Sequence, residues 1–296
     1  MISVLIPVYN CTIVSLVNTL HQQLSAAKLP FEIIAWDDCS KSQFTAENSQ
    51  IATLAFTSFK KSTVNRGRIQ TRQLLSEKAN YDWLLFLDAD VIPKNSDFIE
   101  SYIEFINGNQ DAIYGGFAYE EKTPPRDYIL RWTYGTAKEQ VDATIRKQKP
   151  YKIVISGNFL IKKEVFVALN SQIKGQNYGY DNYFGALLKE QSYIVKHINN
   201  EVYHLGLDTN ADYLKKTEHA VDTLLTLFKN KQITKSENDL LKTFKLLKSF
   251  KLNYTIAILF KRLKPQLTTN LLSSSPSVTR LQFYKLGYMC SKDLQK

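Results

Sequence analysis

Two carboxylates one residue apart, Asp88 and Asp90, close the apolar run Trp83 to Leu87. A second acidic pair, Asp37 and Asp38, closes the run Phe31 to Trp36. Apolar runs this short, ended by charge, predict buried strands. In an open α/β sheet, ligands bind beyond the carboxyl ends of the strands. Carboxylates gathered there offer oxygen ligands to Mg2+ or Mn2+, or acceptors to a ribose or a base. In extended chain, positions 88 and 90 project to the same side, so both could reach one ligand. The spacing alone leaves a second role open, since either aspartate could cap the following turn. Asp181, in GYDNYF (179–184), begins a helical stretch, where an aspartate caps well.

The elements that must position these groups follow from periodicity. Residues 2–8, 31–36 and 82–87 read as strands, and 51–56 as a further strand. Residues 11–27 and 66–79 read as helices. This alternation predicts a mainly parallel α/β sheet flanked by helices. The runs are apolar throughout, as expected of strands covered on both faces. Further on, 111–119 and 152–161 read as strands, and 120–150 as a mixed segment over the site. Residues 180–190 read as a helix, and 193–195 and 201–204 as short strands. Gly157 either permits a close backbone approach or marks a strand bulge. Tyr128, Trp132 and Tyr134 either stack on a ligand ring or pack in the core. By itself His204 reads as a packed or surface histidine, and His21, His197 and His219 read as structural. From residue 211 the pattern is helical. In 240–251, Leu240, Leu241, Phe244, Leu247 and Phe250 share one face, and Lys242, Lys245 and Lys248 another. Ser273 to Pro276 predicts a break before a last short helix.

Several segments, in order, resemble the family 2 glycosyltransferases, which are inverting nucleotide-sugar enzymes of the GT-A fold. They are VLIPVYN (4–10), EIIAWDDCS (32–40), NRGRIQTRQLL (65–75), WLLFLDADVIP (83–93), ISGNFLIKKEVF (155–166), GYDNYF (179–184) and VYHLG (202–206). The resemblance covers about residues 2–206 and points to members acting on bacterial surface polysaccharides. It implies a GT-A domain over 1–210, followed by a basic helical region over 211–296.

The resemblance also implies roles. Pro7, Tyr9 and Asn10 would line the nucleotide pocket, and Asp37 would accept a hydrogen bond from the base, usually uracil. Arg72 would support the nucleotide or phosphate side, with Arg66 and Arg68 as weaker candidates. Asp88 would contact ribose or metal-bound water. Asp90 would ligate Mn2+ or Mg2+, with His204 as a second metal ligand. Asp181 would be the general base, and Gly157 and Asn158 would face the acceptor. The implied reaction moves a sugar from a nucleotide donor, UDP-linked by preference, to a hydroxyl of a glycan or lipid-linked glycan. Two residues depart from the family pattern: Tyr180 replaces the glutamate before the base, and Cys39 replaces the glycine after Asp37-Asp38. No Gln-x-x-Arg-Trp motif of processive polymerases is found, which favours single addition.

Rival classes fare less well. A sugar nucleotidyltransferase should carry a Gly-rich basic loop where IPVYNCT (6–12) stands. A dinucleotide oxidoreductase should carry Gly-x-Gly-x-x-Gly after the first strand. A catalytically silent binding module of the same fold is kept alive by Tyr180 and opposed by Asp90 and Asp181.

Charge and composition bound the setting. The 296 residues carry a formal net charge of +10. Residues 211–296 hold 16 Lys and Arg against 6 Asp and Glu, while the preceding 210 residues balance at 22 of each. This basicity is either a solvated helical surface or a contact with an anionic membrane, centred on 229–264. A nucleic acid is not expected as a partner. The three cysteines, odd in number and widely spaced, suit a reducing compartment. No stretch approaches the ~20 apolar residues of a membrane span, and the first residues read as a strand rather than a signal peptide. The expectation is a cytoplasmic protein, peripheral on the inner face of the membrane.

Overall fold

The structure is a computed structural model, described over residues 1–175, 178–233 and 237–295. Its strands are β1 (Ile2–Val8), β2 (Phe31–Asp37), β3 (Thr57–Lys61), β4 (Trp83–Leu87), β5 (Val91–Pro93), β6 (Ala112–Tyr114), β7 (Phe117–Ala118), β8 (Asn158–Lys162), β9 (Val195–His197) and β10 (Val202–His204). Its helices are α1 (Val14–Ala26), α2 (Ser42–Asn48), α3 (Arg68–Lys78), α4 (Phe98–Ile103), α5 (Ile129–Lys138), α6 (Ala143–Arg146), α7 (Lys163–Asn170), α8 (Asp181–Glu190), α9 (Asn210–Lys229), α10 (Asp239–Ser249), α11 (Asn253–Leu271) and α12 (Val278–Asp293).

A seven-stranded sheet runs β3-β2-β1-β4-β8-β6-β9. It is parallel except where β8 lies antiparallel to β4 and β6. Side chains alternate across it, so each strand feeds two cores. Val4, Ile6 and Val8 of β1, with Leu85 and Leu87 of β4, meet α1 and α4 on one face. Leu5, Leu84, Phe86, Phe159 and Ile161 enter the opposite core with α3, α7 and α8. Both faces are covered, which is why these strands are apolar throughout. The second core continues without a break into the C-terminal helices through Leu224, Phe244, Phe260, Leu281, Tyr284 and Met289. Side chains of Thr209, Asn238 and Ser277 accept backbone N–H bonds at the starts of α9, α10 and α12.

A small second sheet, β5-β10-β7, sits at the carboxyl end of β4. Its β5–β10 pair is antiparallel and sets His204 opposite Val91, the residue after Asp90.

Local expectations are corrected in several places. The strand expected over 51–56 is a 3-10 turn at Ser49–Thr53, and the strand follows as β3. The run 111–119 divides at Gly115-Gly116 into β6 and β7, which join different sheets. The segment 120–150 contains α5 and α6. The strand expected from 152 begins only at Asn158. The last helix, α12, is long at 16 residues. Phe250, expected on the apolar face of α10, is 69% exposed.

Candidate active site

Asp88 and Asp90 lie beyond the end of β4, in a turn rather than in extended chain. The alternation that would have aimed both carboxylates at one ligand therefore does not apply, and each finds different company. Asp88 accepts bonds from Arg72 Nη2 at 2.7 Å and Arg68 Nη2 at 2.9 Å. Residues four apart on a helix share a face, which puts both guanidinium groups of α3 on this carboxylate. The same arginines hold residue 156: Arg72 reaches Ser156 O at 2.5 Å and Arg68 reaches Ser156 Oγ at 2.7 Å. Burial alone would raise the Asp88 carboxyl, but the two guanidinium groups reverse this and hold it below its ordinary value. Burial, and then the charge of Arg68 beside it, lower Arg72 to about 10.

Asp90 turns the other way. Its Oδ2 faces His204 Nε2 at 3.8 Å, beyond hydrogen-bond reach. Burial pushes Asp90 up and His204 down, each toward its neutral form. Phe117 and Tyr119 flank the imidazole at 5.5 and 5.8 Å between ring centroids. Among the described residues His204 Nδ1 has no hydrogen-bond partner. A carboxylate and an imidazole converging without bonding each other form a donor set suited to Mn2+. Two ligands leave the remaining positions of such an ion to substrate oxygens and water. The residues present therefore fit a divalent cation held with a substrate. Among the described residues no cluster of three or more His, Cys, Asp or Glu suitable for a metal is found.

Two glycines make room for these carboxylates. A Cβ on Gly157 would come within 2.6 Å of Asp88 Oδ2, so this glycine admits Asp88 rather than forming a bulge. A Cβ on Gly206 would overlap the Asp90 carboxylate. Gly206 closes the VYHLG segment, yet its role was not evident from sequence. Neither were Glu139 and Arg131: Tyr119 Oη and Arg131 Nη2 both donate to Glu139 Oε2, at 2.5 and 2.9 Å, and so fix the ring beside His204. No local pattern links residues so far apart in the chain.

The residues expected on the nucleotide side gather at the ends of β1 and β2. Tyr9 is 56% exposed, and half-buried Pro7 precedes it in β1. Asn10, with φ of 50°, donates its N–H to Ser40 Oγ at 2.8 Å and accepts from Lys41 N at 2.9 Å. Asp37 is fully enclosed. Its oxygens accept from Ser40 N at 2.7 Å and Thr45 Oγ1 at 2.6 Å, so it shapes the turn from inside rather than facing a base. Asp38 does the same for the next loop, accepting Arg66 N and Gly67 N at 2.8 Å each. Arg66 itself is exposed and makes no ion pair among the described residues. Cys39 has φ of 69°, a left-handed conformation. That accounts for glycine at the equivalent place in the resembling family. Cys11 donates to Ala89 O at 3.4 Å, and burial pushes its thiol up to about 11.

Asp181 is the first residue of α8, and its carboxylate caps nothing. Among the described residues it receives no hydrogen bond. It lines a cavity of about 300 Å3 together with Arg68, Arg72, Ser156, Phe184 and Tyr180. It also lines a groove of about 950 Å3 that runs to Leu240 and Thr243 of α10 and to Lys285 and Leu286 of α12. Tyr134 lines this groove against Tyr213, 5.8 Å away between ring centroids. Trp132 donates to Glu120 O, while Tyr128 is partly exposed.

Asn158 is placed differently from expectation. It is fully buried and donates to Gly116 O at 2.9 Å and Asn200 O at 2.8 Å. It also accepts from Tyr102 Oη at 2.7 Å. Every polar atom of the side chain is spent, the oxygen on α4 and the nitrogen on the segments that link the two sheets. Of the histidines expected to be structural, His197 is buried and His21 bonds Ala55 O, whereas His219 lines the smaller cavity beside Asp181.

Comparison with known proteins bears on the family and the fold. The profile of Glycosyl transferase family 2 matches residues 3–169. An uncharacterised glycosyltransferase of Haemophilus influenzae is 28% identical over 260 residues, spanning 86% of this chain and 81% of its own. Among solved structures, a mannosyltransferase from Pyrobaculum calidifontis, in complex with GDP-Man and Mn2+, aligns with a TM-score of 0.55 at 16% identity. The alignment covers 79% of this chain, and the chain spans 65% of that enzyme. Glucosyl-3-phosphoglycerate synthase from Mycobacterium tuberculosis, bound to Mn2+, UDP and glucosyl-3-phosphoglycerate, aligns with a TM-score of 0.52 at 16% identity over 76% of this chain and 79% of its own. S. aureus TarS 1-349 aligns with a TM-score of 0.51 at 15% identity, over 99% of this chain and 90% of its own. These distant structures share the GT-A fold.

Proposed function

We propose, for a chain that belongs to glycosyl transferase family 2 and is a glycosyltransferase, that it inverts the anomeric carbon of a UDP-linked sugar on transfer to a hydroxyl acceptor. The observation that carries this reading is a division of labour among carboxylates. Asp90 faces an imidazole, Asp88 is neutralised by two arginines, and Asp181 alone has no partner among the described residues.

Tyr9 and Asn10, on the rim above β1, hold the base and ribose, and Asp37 keeps that rim in shape from within. Arg68 and Arg72 place positive charge beside the diphosphate while fixing Asp88, whose outer edge meets ribose or a bound water. Asp90 and His204 would hold Mn2+ or Mg2+. Such an ion, when bound, neutralises charge on the departing diphosphate. The acceptor enters by the groove that ends at Asp181. Asp181 takes the proton of its hydroxyl as the oxygen bonds to the anomeric carbon, opposite the departing nucleotide. One base suffices, because the leaving group departs as an anion that needs no proton. Tyr180 stands where the family's glutamate would assist acceptor placement, so the tyrosine edge contributes to acceptor choice. The acceptor class is a glycan or lipid-linked glycan in surface-polysaccharide assembly.

Thermal stabilisation by a panel of nucleoside diphosphates and nucleotide sugars, with and without Mn2+, tests the donor half. The expected result is a Mn2+-dependent shift with a uridine nucleotide. Absence of any metal-dependent shift across the panel overturns the reading.

A further inference from the structure

The corner where α10 meets α11 leaves apolar side chains in water. Leu246, Phe250, Leu252, Tyr254, Ile258 and Leu259 fall within 14 residues, and all are exposed, Leu246 at 61% and Ile258 at 58%. Inward-facing Leu241, Phe244, Ala257 and Phe260 already fill the core, so the outer set is surplus to folding. Exposed apolar groups clustered in this way mark an interaction surface.

The charge around the cluster says what covers it. Between Asp239 and Asp293 the chain has no acidic residue and ten basic ones. Some of these are engaged: Lys248 pairs with Asp293 at 2.8 Å and Lys264 reaches Glu218 at 3.4 Å. Among the described residues Lys242, Lys251, Lys261 and Arg262 make no ion pair and are exposed. A second copy would bring the same positive field and be repelled. A nucleic acid would use the lysines but gains nothing from exposed leucine and isoleucine. A bilayer bearing acidic headgroups takes both, with apolar side chains at the acyl boundary and lysines among the phosphates.

We propose that the α10–α11 corner, with its exposed Phe250 and Ile258 and its exposed Lys251, Lys261 and Arg262, unpaired among the described residues, docks the enzyme onto an acidic phospholipid bilayer. The surface stands on its own exposure and charge and does not rest on the transfer reaction. It has a consequence for the acceptor. The groove from Asp181 ends on Leu240 and Thr243 of α10, so the docked face and the acceptor route share one helix. An acceptor carried on a lipid would reach Asp181 without leaving the bilayer surface.

The test is co-sedimentation of the full chain with vesicles of phosphatidylcholine alone and of an equal mixture of phosphatidylcholine and phosphatidylglycerol. Binding to the mixed vesicles should exceed binding to neutral ones at least ~10-fold and weaken as salt is raised. Each basic residue lost should weaken binding roughly fivefold, so Lys251→Glu with Arg262→Glu nearly abolishes it. Phe250→Ser with Ile258→Ser should do the same at unchanged charge. All four positions are exposed, so melting temperature and nucleotide-induced stabilisation should stay at wild-type values. Equal binding to both vesicle types, no binding, or wild-type binding by either variant pair overturns the proposal. So does displacement from mixed vesicles by single-stranded RNA, or self-association that the apolar variants abolish.

Discussion

Asp90 Oδ2 and His204 Nε2 stand 3.8 Å apart although 114 positions separate them in the chain. The β5–β10 register places His204 opposite Val91, and Leu205 N donates to Asp90 O at 2.9 Å. The pair is thus held by backbone pairing on both sides. Removing either side chain should abolish Mn2+-dependent nucleotide stabilisation. Asp90→Ala and His204→Ala should each lower kcat/KM roughly 10²–10³-fold, measured by transfer kinetics alongside the thermal shift.

Gly206 offers a subtler probe of the same pair. Gly206→Ala drives a methyl into the space of the Asp90 carboxylate. The expected outcome is a weakened metal-dependent shift, read by Mn2+ titration, with metal-free nucleotide binding unchanged.

Asp181→Asn removes the proposed base while keeping size and polarity. Transfer should fall about 10²–10⁴-fold, while nucleotide stabilisation stays at the wild-type level. Retained transfer would assign the base to another residue.

Asn158→Ala separates a structural clamp from an acceptor contact. It strips partners from Tyr102 Oη, Gly116 O and Asn200 O. The cost should be about 2–4 kcal/mol of stability, read by urea unfolding, with acceptor KM unchanged below the transition.

His197 predicts a pH dependence of stability. It is fully buried, and burial lowers it from 6.5 to about 4. Arg146 Nη1 donates to its Nδ1 at 2.9 Å, so its Nε2–H donates to Pro150 O, also at 2.9 Å. Between those pH values the unfolded chain binds a proton that the folded chain does not. Stability from this group is complete above about pH 6.5 and is lost as pH falls toward 4, a total of about 3 kcal/mol. Urea unfolding from pH 7 to 4.5 should show the decline, and His197→Gln should flatten it from a lower starting stability.

The fold was legible where hydrophobic period and charge agreed. β1, β2 and β4 begin and end within a residue of their apolar runs, because strands covered on both faces are mainly apolar, Glu32 being the one charge inside them before Asp37. The helix over 66–79 was likewise readable, but the break at 115–116 was not, since 111–119 read as one strand. Ile51 to Phe56 misled, because a short apolar run fits a turn packed on a helix as well as a strand. Phe250 misled for a related reason: helical phase places a side chain on a face but does not say where the neighbouring helix stops.

From the sequence alone came the sheet, the carboxylates at its mouth, the family and the basic C-terminal third, since each depends on local order or on composition. Only the tertiary structure decided what those groups meet. Asp88 is neutralised by two arginines of α3, Asp90 is left to His204, and Asp181 is left without a partner among the described residues. Asp37 and Asn158 share the residue types of binding groups, yet both are enclosed and spent on the scaffold. Hydrogen bonds and ion pairs form between atoms brought close in space, and proximity across more than a hundred positions is fixed by strand register and helix packing rather than by neighbours in the chain.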